Sequence, residues 1–227
     1  MNFDEWEPVY EQILADFGFD RAADERARDV LAGLLDGEQT CDLSALDVAE
    51  ETVAVAGAAG NLEAQAELAA SADSVFAAST AADRLAAVGV DVDCMVTDLD
   101  KNPDTVASLT ASGVPVAVHA HGDNISTVRE FVPTFDFRWV LPTTQAAPVD
   151  PVVNPGGFTD GDRAAFLADH LGAETLVFPG WEFDDRTVGA MKREKLRWAE
   201  RLLAWLERRR DDRFGVLDGR RDDIDPV

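Results

Sequence analysis

Six short apolar runs rich in β-branched residues, each parted from the next by a helical stretch, constrain this chain most. They lie at 52–57, 74–78, 94–97, 114–119, 137–141 and 175–178. Segments 62–70, 80–88, 103–112, 124–131, 160–171 and 187–210 read as helices. A strand pairs parallel with its successor only through a crossover, usually a helix. The alternation therefore predicts an α/β fold with a doubly wound, mostly parallel, Rossmann-like sheet. Ahead of it, Phe3, Trp6, Val9, Tyr10, Ile13, Leu14 and Phe17 recur at helical spacing, as do Ala23, Ala27, Val30, Leu31, Leu34 and Leu35. The expected organisation is an N-terminal helical extension (1–50), a main α/β domain (51–210) and a charged, mobile tail (211–227).

Charge narrows the function classes. The 227 residues carry 44 acids against 20 Lys and Arg, a formal net charge of -24. Such a surface repels nucleic-acid phosphates and anionic membranes, so neither is an expected partner. Lysine is scarce (Lys101, Lys192, Lys195) while alanine and valine abound. This composition is like that of proteins from salt-loving archaea, in which molar salt screens self-repulsion to about 3 Å. Most of the acids then serve solvation, and only placed ones inform on chemistry. Cys41 and Cys94 fit no metal-spacing motif and read as buried thiols of a reducing cytoplasm. No apolar run reaches the ~20 residues of a spanning helix, so a cytoplasmic location is expected.

In open parallel sheets ligands bind beyond the carboxyl ends of the strands. Residues 94–100 (CMVTDLD) bring Asp98 and Asp100 onto one side of a strand end, where they suit a hard cation such as Mg²⁺. After the fourth run come His121, Gly122, Asp123 and Asn124; Asp123 either completes that metal site or caps the next helix. After the fifth come Thr143, Thr144 and Gln145. After the first come Gly57, Gly60 and Asn61, whose small residues let a phosphate approach backbone N–H groups or simply make a tight turn. Residues 156–164 (GGFTDGDRA) crowd Gly157, Phe158, Thr159, Asp160, Asp162 and Arg163 into one turn. A helix start so furnished can orient a metal-bound phosphate, with Arg163 neutralising charge. Lys192 and Lys195 share a face of the last helix, either solvated or reaching phosphates.

These motifs resemble the archaeal 6-hydroxymethyl-7,8-dihydropterin diphosphokinase family, the MptE-like group, related in fold to thiamine diphosphokinases. The resemblance runs over about 53–206 and rests on VTDLD (96–100), HAHGDN (119–124), TTQ (143–145), GGFTDGDRA (156–164) and the Lys192/Lys195 pair. GAAGNLE (57–63) stands where the family has a GxGPSL segment, and Trp181-Glu182-Phe183 where it has a Met-Asp-Phe-like run. The resemblance makes 51–210 a catalytic domain. It implies transfer of diphosphate from ATP to the hydroxymethyl group of a reduced pterin, releasing AMP, toward folate or methanopterin-type cofactors. It implies Mg²⁺ held by Asp98, Asp100 and Asp123 with Asp160 and Asp162, and positive charge from Arg163, Lys192 and Lys195. Nucleotide contacts are then expected at Gly57, Gly60, Asn61, Thr143, Thr144, Gln145, Gly157, Phe158 and Thr159. Phe158 and Trp181 offer rings for the pterin. Related diphosphokinases suggest a homodimer, for which the apolar N-terminal helices offer a surface. The competing readings are a thiamine diphosphokinase and a non-catalytic nucleotide-binding module.

Overall fold

The computed structural model describes residues 1–227. It is a parallel α/β fold with six strands and eight α-helices, as the alternation predicts. In chain order the elements are α1 (Phe3–Phe17), α2 (Arg21–Leu34), β1 (Thr52–Ala56), α3 (Ala66–Ala70), β2 (Ser74–Ala78), α4 (Ala81–Ala87), β3 (Cys94–Thr97), α5 (Pro103–Ala111), β4 (Val116–Ala120), α6 (Ile125–Phe131), β5 (Val140–Thr144), α7 (Asp160–His170), β6 (Thr175–Val177) and α8 (Ala190–Arg210). They gather into two compact units, Met1–Asp47 with Asp93–Gly156, and Val48–Val92 with Gly157–Val227. No helix is long and apolar enough to cross a membrane.

In the first unit β4 lies between β3 and β5, parallel to both, with Val96 opposite Ala117 and Ala117 opposite Leu141. All three strands are buried along their whole length, which is why they read as continuous apolar runs. The N-terminal helices do not stand apart as an extension. They belong to this unit, where α2 packs on β4, β5 and α6. Trp6, Val9, Tyr10, Ile13 and Leu14 of α1 are buried, each large side chain contributing roughly 1.5–3 kcal/mol by leaving water. Cys41 and Cys94 are free, buried thiols, and burial pushes both pKa values up.

β5 begins three residues later than the apolar run, because Asp136 caps a short 3-10 turn over Phe137–Trp139. It also continues through Pro142, where the run was expected to stop. The Thr144 N–H, two residues on, donates outward to Val153 O at 3.0 Å, away from β4. Pro142 nitrogen points to the same outer side, so its missing hydrogen breaks no bond to β4. Thr143 and Thr144 are therefore strand residues.

In the second unit β1 lies between β2 and β6, again parallel to both. The winding thus goes one way from β1 to β2 and returns on its other side at β6. Helix α7 packs against β1, β2 and α8. The charged tail packs back on this unit: Phe214 and Leu217 are buried, and the Phe214 ring centre lies 4.8 Å from that of Phe178. Glu207 of α8 accepts from Arg221 at 2.7 Å and from the Phe214 N–H.

Candidate active site

The carboxyl ends of β3 and β4 meet around Asn124. This residue is buried, and its side-chain amide donates to the carbonyls of Asp98 (2.8 Å) and His119 (2.7 Å). Its Oδ1 accepts from the His121 N–H at 3.0 Å. One amide thus ties together the first residue past β3, a residue of β4 and the turn that follows β4. Leu99 takes a left-handed φ of 67°, held by its N–H donating to Thr97 Oγ1 at 3.0 Å. Asp98 Oδ1 accepts the Asp100 N–H at 3.1 Å, and Asp98 Oδ2 faces His121 Nε2 at 3.4 Å. The Asp123 N–H points at His121 Nδ1, which leaves Nδ1 the acceptor and places the ring proton on Nε2, toward Asp98. His121 and Asp98 each keep about a fifth of the side chain exposed (19% and 20%), while Asp100 and Asp123 are exposed.

His119 is buried on β4 and differs in tautomer. The Thr143 hydroxyl donates to Val118 O at 3.2 Å, so at the 3.1 Å contact His119 Nδ1 is the donor. Thr143, Thr144 and Gln145 are all buried. Thr144 Oγ1 meets Ala120 O at 3.4 Å, and the Gln145 side-chain amide donates to Asp24 at 2.7 Å. These groups hold the β4 and β5 ends in register and anchor the N-terminal helices, a scaffold role in place of the expected nucleotide contact. Asp24 was not among the expected site residues. Its signal was present: it falls on the buried stripe of Ala27, Leu31 and Leu35, where a charge survives only if partnered.

In the second unit the glycine turn after β1 packs against the loop after β6. The N–H groups of Gly57 and Ala59 donate to Pro179 O and Gly180 O, each at 2.9 Å. Trp181 Nε1 donates to Val55 O at 2.8 Å, and Asn61 Nδ2 to Trp181 O at 3.2 Å. A Cβ on Gly57 would stand 2.5 Å from Gly180 O. The glycines permit this close approach, so the Gly57 amide is engaged by protein and cannot cradle a phosphate. The Trp181 ring is likewise packed on Gly57 and would lie 2.8 Å from a Cβ on Gly161, a clamp within the fold. Arg84, also unforeseen, fastens the turn by donating to Ala58 O at 2.7 Å and to Glu63. Gly60 remains exposed at the tip.

The turn before α7 sorts its residues by depth. Gly156 and Gly157 take φ of 101° and 92°, and a Cβ on Gly157 would meet Arg163 Cα at 2.6 Å. Asp162 is completely buried. It accepts from the N–H of Phe158 and from the N–H and hydroxyl of Thr159, and burial still pushes its pKa up. Both oxygens cap the helix, which removes Asp162 from the expected metal ligands. Arg163 is buried and pairs with Asp160 at 3.2 Å, so the expected phosphate-binding cation and metal ligand neutralise one another. Lys195 Nζ stands 5.6 Å from the centre of the buried Phe158 ring. Lys192 is exposed one turn earlier.

No group of three or more His, Cys, Asp or Glu side chains is gathered to hold a metal. The donor set nevertheless suits Mg²⁺, which usually keeps several waters and binds through one or two carboxylates plus substrate phosphates. Asp98 is partly open to solvent and Asp100 and Asp123 are exposed, so solvent reaches their carboxylates, whereas both Asp162 oxygens are taken by the helix cap.

A family model described as 6-hydroxymethylpterin diphosphokinase MptE-like matches residues 31–187. A 6-hydroxymethyl-7,8-dihydropterin pyrophosphokinase of Methanothermobacter thermautotrophicus is 36% identical over 226 residues, covering 92% of this chain and 97% of the relative. The protein of the same name from Pyrococcus furiosus is 35% identical over 223 residues, 91% of this chain and 95% of that one. One from Methanocaldococcus jannaschii is 28% identical over 232 residues, with 91% and 96% covered.

Proposed function

The chain belongs to the MptE-like 6-hydroxymethylpterin diphosphokinase family, and on that premise we propose that it transfers diphosphate from ATP to the hydroxymethyl group of 6-hydroxymethyl-7,8-dihydropterin, releasing AMP. The observation that carries this reading is identity of 36% sustained over 97% of a relative bearing that name. The product is a reduced pterin diphosphate of the kind used in folate or methanopterin-type cofactor synthesis. The strong net charge of -24 fits work in a salt-rich cytoplasm, where counterions screen it.

The chemistry requires attack by the hydroxymethyl oxygen on the β-phosphorus of ATP. The bond from the β-phosphorus to the α–β bridging oxygen breaks, charge builds on the β oxygens and that bridge, AMP leaves with the bridging oxygen, and the hydroxyl proton passes to water. We assign Asp98, Asp100 and Asp123 to Mg²⁺, which supplies charge neutralisation on the phosphates when bound. Asn124 and the left-handed Leu99 fix the Asp98 backbone, so the carboxylate is aimed before substrate arrives. His121 is set as a donor by its Nε2 proton, which suits it to hold the Asp98 carboxylate in place rather than to take a proton from the substrate. Within the second unit, Lys192 and Lys195 are our candidates for phosphate-binding cations, Gly60 and Thr159 for backbone contacts, and Arg163 acts through its pair with Asp160.

The reading is tested by giving purified protein ATP, Mg²⁺ and equal amounts of the pterin and thiamine in molar KCl, and resolving the products. AMP with pterin diphosphate is the expected result. Faster formation of thiamine diphosphate would assign the chain to the sibling activity, and nucleotide binding without AMP would make it a non-catalytic module.

A further inference from the structure

Three hydrogen bonds converge on the buried carboxylate of Asp24, on the second N-terminal helix. Its Oδ1 accepts the Gly122 N–H at 2.7 Å. Its Oδ2 accepts the Tyr10 hydroxyl and the Gln145 side-chain amide, both at 2.7 Å. Burial first, and then the nearby Asp24 charge, push the Tyr10 phenol up, so it remains a donor. Gly122 belongs to the turn that carries His121, Asp123 and Asn124, and Gln145 follows the two threonines of β5. A Cβ on Gly122 would meet Ala23 Cβ at 2.6 Å, so the helix start and the turn are in direct contact. Trp6 Nε1 reinforces the clamp by donating to Gln145 O at 3.0 Å, and Arg28 by donating to Ala147 O at 2.8 Å.

We infer that Asp24 is a positioning residue: it fixes the 121–124 turn, and through it the Asp98–His121 pair, so that the N-terminal helices are part of the catalytic apparatus. The inference rests on the reading that this turn serves diphosphate transfer. A buried carboxylate bound by three donors is a rigid anchor, and small misplacements of catalytic groups reduce rate steeply.

The test uses full-length protein, AMP formation, and hydrogen exchange at the 121–124 amides. Asp24→Ala is expected to lower kcat at least about tenfold, with smaller change in KM. Exchange at the turn should rise while exchange across β1 stays at the wild-type rate. Asp24→Asn keeps Oδ1 for Gly122, and rotation of the Tyr10 hydroxyl and Gln145 amide satisfies the other two bonds, so most activity should return. Should Asp24→Ala fail to fold, a size swap decides. Gly122→Ala, at a backbone position outside the left-handed region, should lose activity by pushing against Ala23, and adding Ala23→Gly should restore it. A folded Asp24→Ala protein with wild-type kcat and exchange, or a Gly122→Ala loss that Ala23→Gly does not relieve, would overturn the inference. Wild-type protein that releases no AMP contradicts the functional reading instead, and the exchange comparison then decides the role of Asp24 alone.

Discussion

Asn124 shows how much one side chain can organise. Asn124→Ala removes two donors at once and leaves the Asp98 and His119 carbonyls without them. Each buried acceptor so exposed costs about 1–3 kcal/mol, so urea unfolding should show a loss of that order or more, and AMP formation should fall with it. Asp98→Asn should do the reverse: stability near wild type, turnover lost. An active Asp98→Asn enzyme would take this carboxylate out of the metal set. Asp98 stood out in the sequence because the pair follows an apolar run, and it lies at the β3 end facing His121. The capping bonds of Asp162 were not legible, since capping and metal binding ask for the same residue at a helix start. Asn124 was read as one letter of a motif, because the two carbonyls it bridges lie 26 and 5 residues away.

Among the elements, strand positions were the most legible. β1, β2 and β3 fall where the apolar runs put them, since strands buried on both faces write continuous apolar text. β5 was misplaced because Pro142 looks like a stop, and only the direction of its nitrogen shows why it is tolerated. Turns demanded more than periodicity offers. The glycine turn after β1 read equally as a phosphate approach or a tight turn, and neither reading pointed to its partner, the β6 loop more than 120 residues on. Gly157→Ala should destabilise the α7 start by about 1–3 kcal/mol, since φ is 92° and the added Cβ meets backbone; thermal unfolding reports it. Hydrogen bonds from Arg84 hold the Glu63 carboxyl down at about 2, against a usual 4.5. A lowered carboxylate contributes stability above its unfolded pKa that is lost as pH falls through the folded one. The contribution to the turn should therefore be complete above about 4.5 and gone below about 2. NMR titration of Glu63 should show that low midpoint, and Arg84→Met should return it toward the usual value.

For the molecule as a whole, the α/β class was legible but its division was not. Each compact unit joins stretches separated by 45 residues or more of chain, and local periodicity carries no record of such pairings. The tail was read as mobile from its charges, although Phe214 and Leu217 among them are the apolar anchors that bind it. Phe214→Ala should cost about 3–5 kcal/mol, whereas a mobile tail would leave stability unchanged. ATP labelled at the β-phosphorus distinguishes diphosphate transfer to a reduced pterin from every alternative route. With Mg²⁺ and 6-hydroxymethyl-7,8-dihydropterin in molar KCl, the label should move into a pterin diphosphate and the released AMP should carry none. Label retained in ADP, or no transfer above an enzyme-free blank, would contradict the claim.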